Sequence, residues 1–247
     1  MKSINFSPRN LAIMGLFTAV VFIVTSSFSI YVPATRGFFN IGDSMVFLTA
    51  LLFGPIIGAF TGGVGSALAD LWLGYAYYAP ATFVIKGFEG FIVGWLGKRK
   101  PKLSELNWKI STITLGLILA SLLGYFGIYY YSGETAIALG NISFILTIPE
   151  VFWIGVSAVI FIFITWLGWK NEPETGWTIM STVIGGLCMV LGYYLYQYFL
   201  IGPLFQIQVV AIAEFPINMG QMIVGIVITV PLFKSVKRYL PFLNNPN

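Results

Sequence analysis

The sequence contains no histidine and only one cysteine, Cys188, among its 247 residues. The chain therefore cannot form an internal disulfide, and it lacks the residues for Cys/His metal sites or for thiolate–imidazole catalysis. Charged residues are also scarce, at 9% of the chain, whereas 57% of the residues are hydrophobic. With a mean hydropathy of +0.87, this composition predicts an all-α polytopic membrane protein.

Motifs for nucleotide hydrolysis and for hydrolytic catalysis are missing as well. The sequence has no Walker A pattern, no HExxH and no nucleophile elbow, so neither ATP hydrolysis nor hydrolytic chemistry is predicted. The net charge of +4 comes from Lys and Arg residues at the ends of apolar runs. That distribution indicates membrane orientation and argues against a nucleic-acid partner.

Eight apolar runs predict eight membrane spans. With approximate bounds, they are 11–31, 38 or 41–53, 55–75, 81–96, 110–130, 142–169, 177–200 and 209–233. This topology places 11 of the 13 Lys and Arg residues on the cytoplasmic side, together with both chain termini. Arg36 and Lys86 are the two exceptions, and both fall on the outer side.

Ionisable residues inside apolar segments mark the candidate site. Each costs about 2.5–3.5 kcal/mol at the bilayer centre on insertion scales, so their repetition suggests a function. The aromatic loop at 74–80 adds tyrosines that could stack on a ligand. We predict a polar pocket in the outer leaflet that binds substrate through Arg36, Asn40, Asp43, Asp70, Tyr75, Tyr78, Lys86, Glu89, Glu214, Asn218 and Gln221.

Structural roles remain open for several of these residues. Lys86 and Glu89 are three residues apart on one helix and could simply neutralise each other. Asp43 could be an N-cap, because carboxylates suit helix N-termini. Glu150, which follows a proline, is interpreted as capping a helix. Asp70 could lie at the outer membrane interface.

A group of small residues lies on the first predicted span. Ala12, Gly15 and Ala19 fall on nearly the same face of a helix. Small residues at this spacing allow another helix to approach closely. Internal packing and docking of a partner subunit are equally compatible with this pattern.

The run RGFFNIGDSMVFLTALLFGPIIGAFTGGVGSALADLWLGYAYYAPATFVIKGFEGFIVG resembles the S components of energy-coupling factor (ECF) vitamin transporters, in the riboflavin-type or hydroxymethylpyrimidine/pyridoxine-type branch. The segments GGLCMVLGYYLYQYFL and AIAEFPINMGQMIVGIVITVPLFKSVKR are similar to the last two helices of that family. The resemblance covers about residues 8–100 and 176–238. It divides the chain into helices 1–4 (residues 1–102), an inserted transmembrane pair (103–175), and helices 5–6 with the cytoplasmic tail (176–247).

This resemblance implies a six-helix membrane subunit that captures a vitamin outside the cell. It also implies a transmembrane coupling subunit and two ATPase subunits as partners, so ATP is used by the partners and no cofactor is expected in this chain. Riboflavin, pyridoxine or a hydroxymethylpyrimidine is the implied substrate. The Ala12, Gly15 and Ala19 face would dock on the coupling subunit, and the inserted pair is expected to pack outside the bundle.

Three other functions are compatible with the residues alone. A solitary facilitator or proton-coupled carrier would use Asp70, Glu89 and Glu214 as a proton relay. An intramembrane enzyme would use Asp43, Asp70 or Glu214 as acid and base. In a purely structural subunit, the polar residues would only cross-link helices.

Overall fold

The computed structural model describes residues 7–33, 35–99, 104–139, 142–170, 173–206 and 210–239. Helices dominate it, which confirms the prediction of an all-α polytopic membrane protein. Their bounds are α1 Pro8–Ser27, α2 Asp43–Phe53, α3 Pro55–Leu73, α4 Ala79–Gly97, α5 Glu105–Tyr131, α6 Glu150–Lys170, α7 Pro173–Tyr196, the short α8 Gly202–Phe205, and α9 Glu214–Tyr239. A π-helical segment, Gln197–Ile201, follows α7, and a 3₁₀ turn, Ala211–Ala213, precedes α9.

Six helical stretches among the described residues are long and apolar enough to cross a membrane. They correspond to α1, α3, α5, α6, α7 with its π-helical extension, and α9. The second predicted span is shorter, because α2 has only 11 residues and reaches about 16 Å at 1.5 Å per residue. The α4 helix has 19 residues, a spanning length, and it carries Lys86 and Glu89.

A small four-stranded antiparallel sheet lies at one end of the bundle, and the sequence did not lead us to predict it. Its strands are β1 Ser29–Val32, β2 Gly37–Asn40, β3 Gly133–Leu139 and β4 Ile142–Ile148, in the order β2-β1-β3-β4. The predicted spans 11–31 and 142–169 were therefore wrong at the ends that lie in β1 and β4. Of the two starts predicted for the second span, residue 38 lies in β2 and residue 41 lies beyond it. Pro149 separates β4 from α6, because proline lacks the N–H that would continue the strand's hydrogen bonding.

The helices alternate in direction, which gathers two sets of connections at opposite ends of the bundle. At the sheet end, the Tyr131 hydroxyl donates to Ala213 O at 2.8 Å. At the other end, Trp108 Nε1 donates to Gly168 O at 2.8 Å and Trp177 Nε1 donates to Leu96 O at 2.7 Å. The basic ends of the helices fall at this second end. Lys2, Lys100 and Lys102, which were predicted to lie there too, are outside the described residues.

The α5–α6 pair, predicted to be an insertion, packs beside the other helices. The two helices pack mainly against each other, and α5 also contacts α9 and α7. The β3–β4 hairpin between them joins the β1–β2 hairpin through the pairing of Tyr31 with Ala138. The connection between α5 and α6 therefore extends the sheet.

Glycines set the close approach of α3 and α4. A Cβ atom built on Gly90 would lie 2.6 Å from the carbonyl carbon of Gly58, and one built on Gly62 would lie 2.8 Å from Lys86 O. Helices that pack through small residues in this way gain close backbone contact. This contact fixes Lys86 and Glu89 of α4 relative to Asp70 of α3.

Substituting alanine for Gly90 is expected to destabilise the protein by about 1–3 kcal/mol, because the added methyl group meets backbone atoms that cannot rotate away. Gly87 is the matched control, since a Cβ atom there would find its nearest neighbour, Ala59 O, at 3.4 Å. Thermal unfolding in detergent should give a clearly lower transition temperature for Gly90→Ala than for Gly87→Ala. Equal transition temperatures would contradict the proposed close contact.

Candidate functional site

A cavity enclosing about 410 Å³ of empty space, including its open mouth, lies at the sheet end of the bundle. Its walls come from α1, β2, α3, α4, α7 and α9. The residues that line it are Thr25, Gly37, Phe38, Asn40, Ser66, Asp70, Tyr78, Thr82, Lys86, Tyr193, Glu214, Asn218 and Gln221. The cavity thus combines aromatic rings with several buried polar groups, the usual makeup of a small-molecule site.

Lys86 reaches the cavity from α4 and is shared by two carboxylates behind it. Its Nζ pairs with Asp43 Oδ1, and it lies 3.0 Å from Glu89 Oε2. All three side chains are almost completely buried. The i,i+3 pairing of Lys86 with Glu89 is therefore present, and Asp43, the first residue of α2, completes a triad that joins α2 to α4.

A network of side-chain amides connects strand β2, which covers one side of the cavity, to α9. We call β2 the cap strand. The backbone N and the side-chain Nδ2 of Asn40 both donate to Gln221 Oε1, at 2.6 and 2.7 Å. Gln221 Nε2 in turn donates to Asn218 Oδ1 at 2.9 Å. Glu214, Asn218 and Gln221 lie on the same side of α9, as their spacing predicts. The network holds β2 over the cavity.

The π-helical segment at the end of α7 places a glutamine against the aromatic wall. Gln197 Nε2 donates to the Tyr78 hydroxyl at 2.7 Å, and that hydroxyl donates to Thr35 O at 3.2 Å. The Tyr193 hydroxyl, one turn earlier on α7, donates to Thr82 Oγ1 at 3.0 Å. These hydrogen bonds therefore fix the orientations of the Tyr78 and Tyr193 rings in the cavity wall.

The aromatic loop between α3 and α4, residues 74–78, packs against the cap strand β2 and the turn before it. The rings of Tyr75 and Phe38 lie with centroids 4.8 Å apart, and the Tyr77 hydroxyl donates to Arg36 O at 2.7 Å. Burial, reinforced by the neighbouring Tyr77, raises the pKa of Tyr75 to about 12. The phenol is thus neutral at physiological pH and packs as an aromatic ring.

Four cavity-lining side chains each leave a buried polar atom without a protein partner. These atoms are Thr25 Oγ1, Asp70 Oδ2, Glu214 Oε2 and Asn218 Nδ2. Asn218 Oδ1 accepts a hydrogen bond from Gln221 Nε2. Asp70 lies close to Thr82, and Glu214 lies close to Gln197 and Thr35. A buried polar atom without a hydrogen bond costs about 1–3 kcal/mol, so these atoms mark positions that a ligand would satisfy.

The predicted site residues fall into three groups. Those at the cavity wall are Asn40, Asp70, Tyr78, Lys86, Glu214, Asn218 and Gln221. Asp43 and Glu89 lie behind Lys86, and Tyr75 lies behind Phe38. Arg36 is exposed on the β1–β2 turn, where it adopts φ 50°. The side chain of Arg36, which was predicted to bind the substrate, therefore does not line the cavity.

Other wall residues escaped the sequence analysis. They are Thr25, Gly37, Phe38, Ser66, Thr82 and Tyr193. Small hydroxyl residues and tyrosines are common in membrane helices, so no local pattern distinguishes these from packing residues. Tyr193 lies near the end of an apolar run, a position typical of tyrosines that anchor helices at the membrane interface, yet it is buried at 8% relative exposure.

The small-residue face of α1 lies away from the cavity. Ala12, Gly15 and Ala19 are all exposed, and a Cβ atom built on Gly15 would meet no atom within 4 Å. The α1 helix packs on α3 and α2 with other residues. Among the described residues, nothing covers this face, so it is available to a partner helix or to lipid.

Comparisons with known proteins identify the family. A family model described as the S component of the ECF-type riboflavin transporter matches residues 5–138, more than half of the chain. The match includes the run from Arg36 to Gly94 on which the resemblance was based. The match also covers α5, the first helix of the predicted insertion. The boundaries of that insertion, residues 103–175, stay a prediction.

Individual relatives agree with this assignment. An uncharacterised Pyrococcus woesei protein is 44% identical over 110 residues, which are 44% of this chain and 71% of that protein. The thiamine precursor transporter HmpT of Lactococcus lactis is 26% identical over 91 residues, 36% of this chain and 55% of HmpT. A UPF0397 protein of Leuconostoc citreum is 25% identical over 167 residues, 62% of this chain and 87% of the relative. The chain belongs to the family of S components of ECF-type riboflavin transporters.

Proposed function

We propose that this protein captures a small water-soluble vitamin or vitamin precursor in the cavity at the sheet end of the bundle. The single observation that carries the proposal is the set of four unpartnered polar atoms in the cavity wall, on Thr25, Asp70, Glu214 and Asn218. Such atoms persist in a folded protein at a cost, and a ligand with matching polar groups removes that cost. The ligand class is riboflavin, pyridoxine or a hydroxymethylpyrimidine.

Delivery of the ligand requires partners in this proposal. The chain would bind a transmembrane coupling subunit through the face formed by Ala12, Gly15 and Ala19, and two ATPase subunits would supply the energy. The sheet end would face outward and both termini would face the cytoplasm. The basic residues at the opposite ends of the helices support this orientation, because Lys and Arg accumulate on the cytoplasmic side.

Identification of a co-purified ligand is the direct test. Native mass spectrometry of the detergent-purified protein, followed by denaturation, should release a vitamin-sized molecule, because tight binding implies slow dissociation. A bound vitamin or precursor would support the proposal. An empty protein that no vitamin in a panel stabilises would contradict it.

Replacing Asn218 with alanine is expected to lower ligand affinity at least about tenfold, or about 1.4 kcal/mol. The variant removes the free Nδ2 donor and the acceptor that orients Gln221. Asn107→Ala is the matched control, because Asn107 is exposed on α5 far from the cavity. Affinity is measured by isothermal titration with the ligand found by mass spectrometry. Equal affinity of the two variants would argue against this cavity.

A proton-coupled carrier is a second candidate, and one observation favours it. Among the described residues, neither Asp70 nor Glu214 forms a salt bridge, so each could take up a proton during transport. Uptake into proteoliposomes that contain this chain alone, driven by a pH gradient, would support the carrier. Uptake only with the coupling subunit and ATPases present would support the S-component role.

A further inference from the structure

The buried charges around the cavity are unbalanced. Lys86 is the one buried cation among the described residues, and it is already shared by Asp43 and Glu89. Asp70 and Glu214 are also buried, at 4% and 5% relative exposure. Four carboxyl groups and one ammonium group leave a formal excess of three negative charges.

The two carboxyl groups at the cavity wall have no cationic partner. Salt bridges in the described part of the chain involve neither Asp70 nor Glu214. Each has one oxygen without a hydrogen bond, although the cavity is lined by both residues. Lys86 is near enough to influence Asp70, but its ammonium group is paired with the other two carboxylates.

The remaining wall suits a flat, positively charged ring. Phe38, Tyr78 and Tyr193 present aromatic surfaces to the same cavity. Aromatic faces attract cations and also stack on planar rings. Carboxylates bind charged N–H donors more strongly than neutral ones. The aromatic faces and the carboxylates of the wall therefore both favour a planar molecule that carries a positive charge.

Building on the proposed function, we infer that the ligand is a small planar ring compound that carries a positive charge and contacts the carboxylates of Asp70 and Glu214. A ligand of this class supplies the missing cation on binding. A neutral ligand of the same shape would meet these groups as protonated, neutral acids, and it would lack the charge-assisted hydrogen bonds that a cation forms with carboxylates. The charge of the ligand, more than its ring system, then decides affinity.

Matched pairs of compounds test this inference on the full-length protein in nanodiscs. Pyridoxamine and pyridoxine share a ring and differ in an ammonium or hydroxyl group, and an aminomethylpyrimidine can be compared with the corresponding hydroxymethylpyrimidine. The charged or amino member of each pair is expected to bind at least about tenfold more tightly. Asp70→Asn and Glu214→Gln should each reduce this preference. Glu105→Gln, an exposed carboxylate on α5, should retain it.

The outcomes separate this inference from the function on which it rests. Equal or tighter binding of the neutral members, or of riboflavin, with no response to Asp70→Asn or Glu214→Gln, would overturn the charge preference and leave vitamin capture intact. Failure of every compound to bind would overturn both. The comparison within each pair on the unmodified protein decides the question even where a variant does not fold.

Discussion

Replacement of Lys86 by methionine is expected to destabilise the protein by about 3–5 kcal/mol, because it leaves two carboxylates buried without a cation. Methionine keeps the length of the side chain and fills most of its volume. Asp43 and Glu89 have no other cationic partner among the described residues. Thermal unfolding in detergent should therefore give a strongly reduced transition temperature, even without ligand.

Two controls separate the loss of pairing from the loss of a lysine. Lys109→Met removes an exposed lysine, which pairs with the exposed Glu105 at 2.6 Å, and surface pairs contribute little to stability. The triple variant Lys86→Met, Asp43→Asn, Glu89→Gln removes the whole triad of charges, and it should recover much of the stability that the single variant loses. A triple variant no more stable than Lys86→Met would refute the role assigned to the triad.

Variants of Lys86 are expected to alter the stability of the protein as well as its affinity for ligand. If Lys86 only bound the ligand, as its place among the predicted site residues suggests, Lys86→Ala would lower affinity while the protein still accumulated in the membrane. Because Lys86 joins α2 to α4 through Asp43, its loss is expected to change stability together with affinity. Asn218 is the better residue for testing binding, since its unpartnered Nδ2 faces the cavity and no charge depends on it.

Replacement of Gly15 by leucine is expected to reduce association with the coupling subunit at least about tenfold, because a branched side chain prevents close approach of a second helix. Ligand affinity should not change, since Gly15 is exposed on α1 and does not line the cavity. The measurement is the amount of coupling subunit that co-purifies with the tagged chain after both are expressed together.

Gly155→Leu provides the matched control for this experiment. Gly155 is exposed on α6, and a Cβ atom built there would meet nothing within 4 Å, as at Gly15. Both substitutions therefore add the same apolar group to an open helix surface. If the two variants recover the same amount of coupling subunit as the unmodified chain, the small-residue face of α1 is not the docking surface.

Features that depend on neighbours along one helix could be predicted from the sequence. The long apolar runs predicted the helices, because a helix makes all of its backbone hydrogen bonds within one segment of the chain. Lys86 and Glu89 share a helix face, as do Glu214, Asn218 and Gln221, because of the 3.6-residue period. The small residues at 12, 15 and 19 likewise fall on one exposed face.

Only the tertiary structure decided which of these faces meet. Lys86 takes Asp43 as its partner 43 residues away, and Asn40 bonds Gln221 across 181 residues. Two hairpins from distant parts of the chain join into one sheet where Tyr31 pairs with Ala138. Thr82 and Tyr193 become cavity residues only through helix packing. Contacts between separate helices depend on how glycine-lined surfaces such as α3 and α4 fit together, and a period along one helix carries no information about its neighbour.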